Sequence, residues 1–572
     1  MLAGQRPAFR AAKGCWEETG VKRHRLVIGV FAAALLLVAF AAPASSRPRP
    51  ATVPLQILAL NDFHGNIDTL SSTFGGSGGA QYVATYLRNA EAAATNSITV
   101  SAGDLIGASP LISALFHDEP TIEIANMWGL DLNAVGNHEF DEGATELLRM
   151  QSGGAHPVDG DLDGDPFAGA DFAFLAANVV EDATGATLFP PYKVVSYGGI
   201  KVAFIGMTLE GTPTIVTPTG VAGLTFQDEA DTVNALVPFL KARGIEAIVV
   251  LLHEGGTQTG AEDECIGLTG PIVDIVERTS DEVDLFITGH THQNYVCEID
   301  GRWVTSARSF GRVYTDIDVE LDRRTRELTV LSIDNVPVVR AGVEPAADIQ
   351  AVIDKYDELS APLANRVIGT ISADITRTAN AAGESALGDV IADGQLLATT
   401  PVGFGEAVVA FMNPGGIRAD LTYLASGDEA DGEVTYGEAF TVQPFGNSLV
   451  TMTLTGAQID TLLEQQFDNP SVGANRILQV SEGFAYTWST SAPTGSKVDI
   501  ASISIDGIPI DAAASYRVTV NSFLAAGGDN FTVLVSGTDP LGGDVDLDAL
   551  EDYFTVTGTV GPGPQDRVTV ID

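Results

Sequence analysis

Ala134-Val-Gly-Asn-His-Glu-Phe-Asp-Glu142 follows directly on the apolar–polar run Leu130 to Val135 and packs an amide, an imidazole and a carboxylate into one short turn. The amide oxygen of Asn137 can coordinate a hard cation, and a pair such as His138 and Asp141 can place a proton or a charge on a substrate. Four further segments repeat the pattern of a buried-strand run opening into a polar turn. Val53 to Leu60 runs into Asn61-Asp-Phe-His-Gly-Asn66, and Ser97 to Val100 opens into Ser101-Ala-Gly-Asp104. Ile245 to Leu252 delivers His253, and Val283 to Thr288 delivers Gly289-His-Thr-His292. Asp62 and His64 are two apart, so on an extended chain both side chains leave on one face. Helical stretches such as Gln81–Arg88 and Ala230–Ala242 alternate with these runs. That alternation predicts a layered α/β domain with one functional sheet edge, where loops bring distant residues together.

Five of the eight histidines fall in these turns, each within two positions of an Asp, Asn or Gly. A single histidine at a strand end is usually solvated or satisfied locally; five, spread over four separate apolar runs, describe a site. Asp, Asn and His without a thiolate suit Zn, Mn, Fe or Co. There are more ligands than one ion needs, so two divalent ions sharing a carboxylate is the economical arrangement. Such a pair, about 3.5–4 Å apart, can clamp a phosphoryl group.

A chain of 572 residues is too long for a single core and implies two or three domains. Its net charge of −45 disfavours a nucleic-acid groove, because phosphate backbones call for a basic surface. Lys22-Arg23-His24-Arg25 precedes the apolar run Leu26 to Ala42, and Ala42-Pro43-Ala44 fits a small-x-small cleavage site, so residues 1–44 read as a secretory signal. An uncleaved membrane anchor is the alternative, since the run is nearly long enough to span a bilayer. With the signal cut, the mature chain is exported and has no stable membrane anchor. Cys15 lies in the leader. Cys265 and Cys297 then read as one disulfide around the Gly289–His292 segment, two buried free thiols being the alternative.

Farther on, Val319 to Val339 reads as two strands, Ala341-Gly-Val-Glu-Pro345 breaks the pattern, and Ala346 to Ser360 carries Ile349, Val352, Ile353 and Tyr356 at helical spacing. The domain boundary falls there. Ala382 to Asp393 reads as a capped amphipathic helix. Val408 to Met412 runs into Asn413-Pro-Gly-Gly-Ile-Arg418, where Gly416 lets backbone approach a ligand and Arg418 can grip an oxyanion. Two similar turns follow, Gln443-Pro-Phe-Gly-Asn447 and Ser522 to Phe531.

Asp62-x-His64, Gly103-Asp104, Gly136-Asn-His-Glu-x-Asp141, His253 and Gly289-His-Thr-His292 together resemble the calcineurin-like metallophosphoesterase pattern. With the three C-terminal turns, the chain from about Pro54 onward resembles the bacterial and animal 5′-nucleotidase family, which includes periplasmic UDP-sugar hydrolases. The resemblance implies an αββα metallophosphoesterase domain over residues 53–340, a linker helix over 341–365 about which the domains rotate, and a smaller mixed α/β substrate domain over 366–572. It implies one metal on Asp62, His64, Asp104 and His292 and a second on Asp104, Asn137, His253 and His290. His138 would stabilise the transferred phosphoryl group, oriented by Asp141, while a metal-bridging hydroxide attacks phosphorus in line. Phe445 and Phe523 would sandwich the base, Asn413 would touch it, Asp529 would hold the ribose, and Arg418 the phosphate. The family often has glycine where this chain has Pro414 and arginine where it has Ala381, while Arg377 stands at a second basic position. Some relatives have Gln in place of His292. The activity implied is an exported 5′-nucleotidase in nucleotide catabolism, acting on a small nucleotide. The alternatives are a 2′,3′-cyclic-nucleotide phosphodiesterase/3′-nucleotidase, a UDP-sugar hydrolase on the same site, or an inactive nucleotide-binding surface protein.

Overall fold

Alternate residues of the strand Thr52–Leu60 enter different cores: Leu55, Ile57 and Ala59 pack between two sheets, whereas Leu58 and Leu60 pack under helices. A strand covered on both faces is written as a continuous apolar run, which is why this segment lacks polar alternation. The computed structural model describes residues 50–68, 75–216, 220–427 and 429–572. The expected leader, with Cys15, lies outside those residues.

The first half holds two six-stranded sheets. In one, Thr52–Leu60, Ser97–Ser101, Leu132–Ala134 and Ala173–Leu175 run parallel, and the antiparallel pair Val313–Asp322 and Leu328–Pro337 adds to the open edge of Thr52–Leu60. In the other, Ile200–Thr208, Ala247–His253, Leu285–Thr288 and Arg302–Ala307 run parallel, flanked by antiparallel Tyr192–Tyr197 and Asn294–Ile299. Val100, Leu132 and Ile317 from the first sheet meet Phe204, Val249 and Ile287 from the second in a shared core. On the outer faces, Ala80–Ala93 and Glu119–Trp128 cover the first sheet, and Glu229–Lys241 and Pro271–Arg278 cover the second. The result is the helix–sheet–sheet–helix sandwich predicted. Because the key strands are parallel, their C-terminal ends present their loops along one edge.

The helix expected over 346–360 spans Ala347–Ala364, and Ile349, Ile353 and Tyr356 bury against the first sheet's helices, with the Tyr356 ring 4.9 Å from Phe116. Beyond it lies a smaller mixed unit whose five-stranded sheet runs Gln479–Val480, Val409–Met412, Ser515–Asn521, Ser448–Thr455, Thr538–Val545. Here one expectation is corrected. The helix placed at 382–393 begins only at Ala386, capped by Ser385, and continues to Thr399. Ala382–Ser385 stays out of the helix because Gln479 Oε1 accepts from both the Ser385 amide (2.6 Å) and its hydroxyl (3.0 Å). Nor is the helix amphipathic: Leu387 through Ala392 are all buried, because it runs between the sheet and the helix Asp546–Thr557. Cys265 and Cys297 are joined in a disulfide that ties the loop before Pro271–Arg278 to the strand Asn294–Ile299. Among the described residues no helix is long and apolar enough to cross a membrane.

Candidate active site

Asp104 lies at the centre of the loop edge, almost wholly buried. Its Oδ2 is 2.9 Å from His253 Nε2 and 3.6 Å from His64 Nε2, while its Oδ1 accepts the amide of His138 at 2.9 Å. One carboxylate oxygen thus faces imidazoles from two sides. Around it the donors form two adjoining groups, Asp62 with His64 and His292, and Asp104 with His253 and His290. Asn137 Oδ1 stands 3.0 Å from His290 Nδ1, so it joins the second group.

The loops reach this arrangement through left-handed backbone. Asp62, His64, Asp104, His290 and His292 have φ of 50°, 49°, 50°, 69° and 54°. The extended geometry expected for Asp62-x-His64 is therefore incorrect: the strand ends at Leu60, and the two side chains converge through a turn. That turn is stitched to its neighbour by the Asp62 amide on the Gly103 carbonyl (3.0 Å) and the His64 amide on Asp104 (2.9 Å). Gly136 is required beside them, because a Cβ there would lie 2.2 Å from Asp104 Oδ1.

The tautomers are set from behind. His64 Nδ1 bonds the Gly107 carbonyl (2.8 Å) and His253 Nδ1 bonds that of Ala102 (2.7 Å), so each ring turns its Nε2 lone pair inward. His64 Nε2 then lies 3.1 Å from His292 Nε2, and the buried His253 Nε2 has no hydrogen-bond partner besides the facing carboxylate. Lone pairs aimed at one another need a proton or a cation between them. Burial drives His64 and His290 down to about 3 and His292 well below its ordinary value, which keeps all three neutral, the form that ligates metal. Burial also pushes Asp62 up to about 7. Burial opposes charge on Asp104 and His253 as well, but their mutual attraction prevails, holding Asp104 well below the carboxylate range and His253 up at about 10. The cluster calls for positive charge, and two divalent cations fit its His, Asp and Asn donors.

His138 sits at the rim with Nδ1 2.8 Å from Asp141 Oδ2. Burial would lower its pKa, but Asp141 and Asp104 raise it above the ordinary value, which favours the protonated ring. That cleft, about 780 Å³ including its open mouth, is lined by Asn137, His138, Asp141 and His290 from the first half and by Asn413, Gly416, Arg418, Phe445, Phe523 and Asp529 from the second. The rings of Phe445 and His138 stack at 5.9 Å. Arg418 also borders the adjoining space lined by Asp104, His290 and His292. Asn413 Nδ2 donates to Asp529 Oδ2 at 2.9 Å, and Gly528 leaves room for the Phe523 ring, which a Cβ there would meet at 2.5 Å.

Arg377 is not brought to the cleft: it is exposed, and its guanidinium donates to the Ile417 carbonyl. Three residues without an expected role do matter. Arg476 lines the cleft and pairs with Asp529; it precedes a two-residue strand and carries no motif. Asn521 Nδ2 donates to Asn413 Oδ1 (3.0 Å) and fixes that amide. Glu139 is buried and accepts the amides of Gly136 (2.6 Å), Leu105 (2.8 Å) and Asp104 (3.0 Å); its place inside the Asn137–Asp141 turn was the available signal.

Neutral imidazoles and carboxylates around two cation pockets, opening on a cleft with a guanidinium, define a metallohydrolase centre. Residues 55–294 match the family described as calcineurin-like phosphoesterase, and residues 367–536 match the 5′-nucleotidase C-terminal domain. The chain is 34% identical to "Endonuclease YhcR" of Bacillus subtilis, over 88% of this chain and 39% of that one. It is also 34% identical to "Cell wall protein Lmo0130" of Listeria monocytogenes, over 86% and 66%. It therefore spans well under half of the first relative's length and about two thirds of the second's. The crystal structure of a 5′-nucleotidase precursor from Thermus thermophilus superposes with a TM-score of 0.74 at 27% identity, covering 91% of this chain and 99% of that one. The chain belongs to the 5′-nucleotidase family.

Proposed function

We propose that the protein hydrolyses nucleoside 5′-monophosphates to nucleoside and phosphate. The observation that supports this substrate is continuity: Arg418 borders both the space beside Asp104, His290 and His292 and the cleft holding Phe445, Phe523, Asn413 and Asp529. A phosphate at Arg418 would leave its nucleoside in the aromatic and amide part of the cleft. One cation would be held by Asp62, His64, Asp104 and His292, the other by Asp104, Asn137, His253 and His290. Bound there, divalent cations supply Lewis acidity and lower the pKa of water. His138, oriented by Asp141, donates to a phosphoryl oxygen as negative charge develops. Arg418 neutralises a second oxygen, and the two phenylalanines stack on the base.

We assign residues 53–340 to the phosphoesterase domain, 341–365 to the connector and 366–572 to the substrate domain, and infer that the chain is exported. The disulfide and the relative named as a cell wall protein support export. Similarity to a relative named as an endonuclease raises phosphodiesters as a second reading. The net charge of −45 favours small diesters, such as 2′,3′-cyclic nucleotides, over a strand.

Phosphate release by metal-reconstituted protein tests the assignment across AMP, a 2′,3′-cyclic nucleotide, UDP-glucose and p-nitrophenyl phosphate. Chelator-sensitive release from AMP is expected. His138→Ala should lower kcat roughly 10²–10³-fold with metal content unchanged. Turnover of the cyclic substrate alone would move the assignment to the second reading, and no release with any metal would sink both.

A further inference from the structure

Two histidines outside the catalytic loops, His117 and His156, are brought together although 39 positions separate them in the chain (156 − 117). Their rings stack at 3.8 Å and 20°. A single atom, Asp159 Oδ2, lies 3.1 Å from His117 Nε2 and 3.2 Å from His156 Nδ1. The Asp159 carboxylate accepts N–H from His117 Nε2, which leaves His117 Nδ1 as the lone-pair donor of the neutral ring, while the Asp159 amide donates to His156 Nδ1 (3.1 Å). His117 Nδ1 faces Glu142 Oε2 (2.7 Å), and His156 Nε2 faces Glu146 Oε2 (4.0 Å). Arg149 grips both oxygens of Glu146, Nη2 donating to Oε1 (2.6 Å) and Nε to Oε2 (3.0 Å), and so orients that carboxylate. One ligand atom from each of His117, Glu142, Glu146 and His156 falls within 4.8 Å of all the others. The edges of a tetrahedral site with bonds of ~2.0–2.1 Å are about 3.4 Å, so small side-chain shifts close the group around one ion. Both imidazoles and Glu146 are mostly buried, with 16%, 13% and 10% of the side chain exposed, whereas Glu142 is open at 45%. The site has a solvent-facing entrance.

We propose that His117, Glu142, Glu146 and His156 form a site for a borderline divalent cation of the Zn²⁺ type, separate from the catalytic cluster and independent of the substrate assigned above. An ion pair of protonated histidines is the simpler account. It would set two positive charges face to face at 3.8 Å, where they repel. Pairing with Glu142 already raises His117 to about 9, so the pocket calls for positive charge in any case. A cation bonded to both rings and both glutamates satisfies all four at once.

The site's neighbours reach the catalytic loops. Glu142 directly follows Asp141, which takes the Ala108 amide (3.0 Å) as well as His138. Asp118 directly follows His117 and accepts the Gly107 amide (2.9 Å), and the Gly107 carbonyl in turn bonds His64. An ion here would pin both supports.

The test is Zn²⁺ uptake by metal-stripped full-length protein, measured by equilibrium dialysis with elemental analysis. About three equivalents per chain are expected for the native protein and about two for the His117→Ala, His156→Ala double variant. Substitution with Co²⁺ should give an intense four-coordinate visible band that the double variant loses. Glu142→Gln, a partly exposed change with little risk to folding, should weaken the third equivalent at least tenfold and leave the other two unaltered. Equal uptake and equal Co²⁺ spectra in the native protein and Glu142→Gln would overturn the proposal, whether or not the double variant folds. Because the readout is stoichiometry, this failure is distinct from loss of AMP hydrolysis.

Discussion

At the scale of single residues, the catalytic loops place non-glycine residues in left-handed backbone at Asp62, His64, Asp104, His290 and His292. Each such residue costs on the order of 1–3 kcal/mol unless its surroundings hold it. Glu139 is the chief support among them, since its carboxylate takes amides from two of the five loops together with Asn133 Nδ2. Burial and the Asp104 charge push it up to about 7, while those amides and His253 pull it down. Glu139→Ala would strand buried N–H groups at about 1–3 kcal/mol each. We expect stability to fall by roughly 3 kcal/mol or more in urea titration, together with weaker metal retention. Unchanged stability and metal content would show that the loops hold themselves.

At the scale of elements, the edge strand ends are locked by side chains at strand entrances as well. Asp284, just before Leu285–Thr288, bonds the neighbouring strand twice: its amide reaches the Ile248 carbonyl (3.0 Å), and its Oδ2 accepts the Ile248 amide (2.8 Å). Burial pushes this carboxyl up to about 7. A raised folded pKa means stability is fully present below the unfolded value of about 4 and is lost as pH rises through about 7. Asp284→Asn keeps an acceptor but removes the titration. Its Tm should exceed the native value at pH 8 by more than at pH 5, and parallel curves would refute the linkage. The strands themselves were legible because a strand buried on both faces is a plain apolar run, and the polar turns after them stood out by contrast. The turns' backbone was not legible. The face-sharing rule for Asp62 and His64 assumed extended chain, while the actual convergence depends on inter-loop hydrogen bonds that no local pattern encodes. Gln479 likewise delays the helix at Ala386, and Arg476 enters the cleft only because distant segments meet there.

At the scale of the molecule, the cleft is complete only when both halves contribute, so selectivity and chemistry should be separable by mutation. Replacing Phe445 and Phe523 with Ala is expected to reduce kcat/KM for AMP by roughly 10–100-fold per ring while changing p-nitrophenyl phosphate turnover little. Equal losses on both substrates would place the rings in packing instead. The loop edge also has a temporal consequence. On the proposed assignment the donors begin at Asp62 and end at His292, and each ion needs a residue from the Gly289–His292 segment. No emerging fragment that stops short of that segment can hold either ion with its full ligand set. Metal capture therefore marks completed folding of the first half, and the ions that occupy the centre will be those of whichever compartment that half finishes folding in.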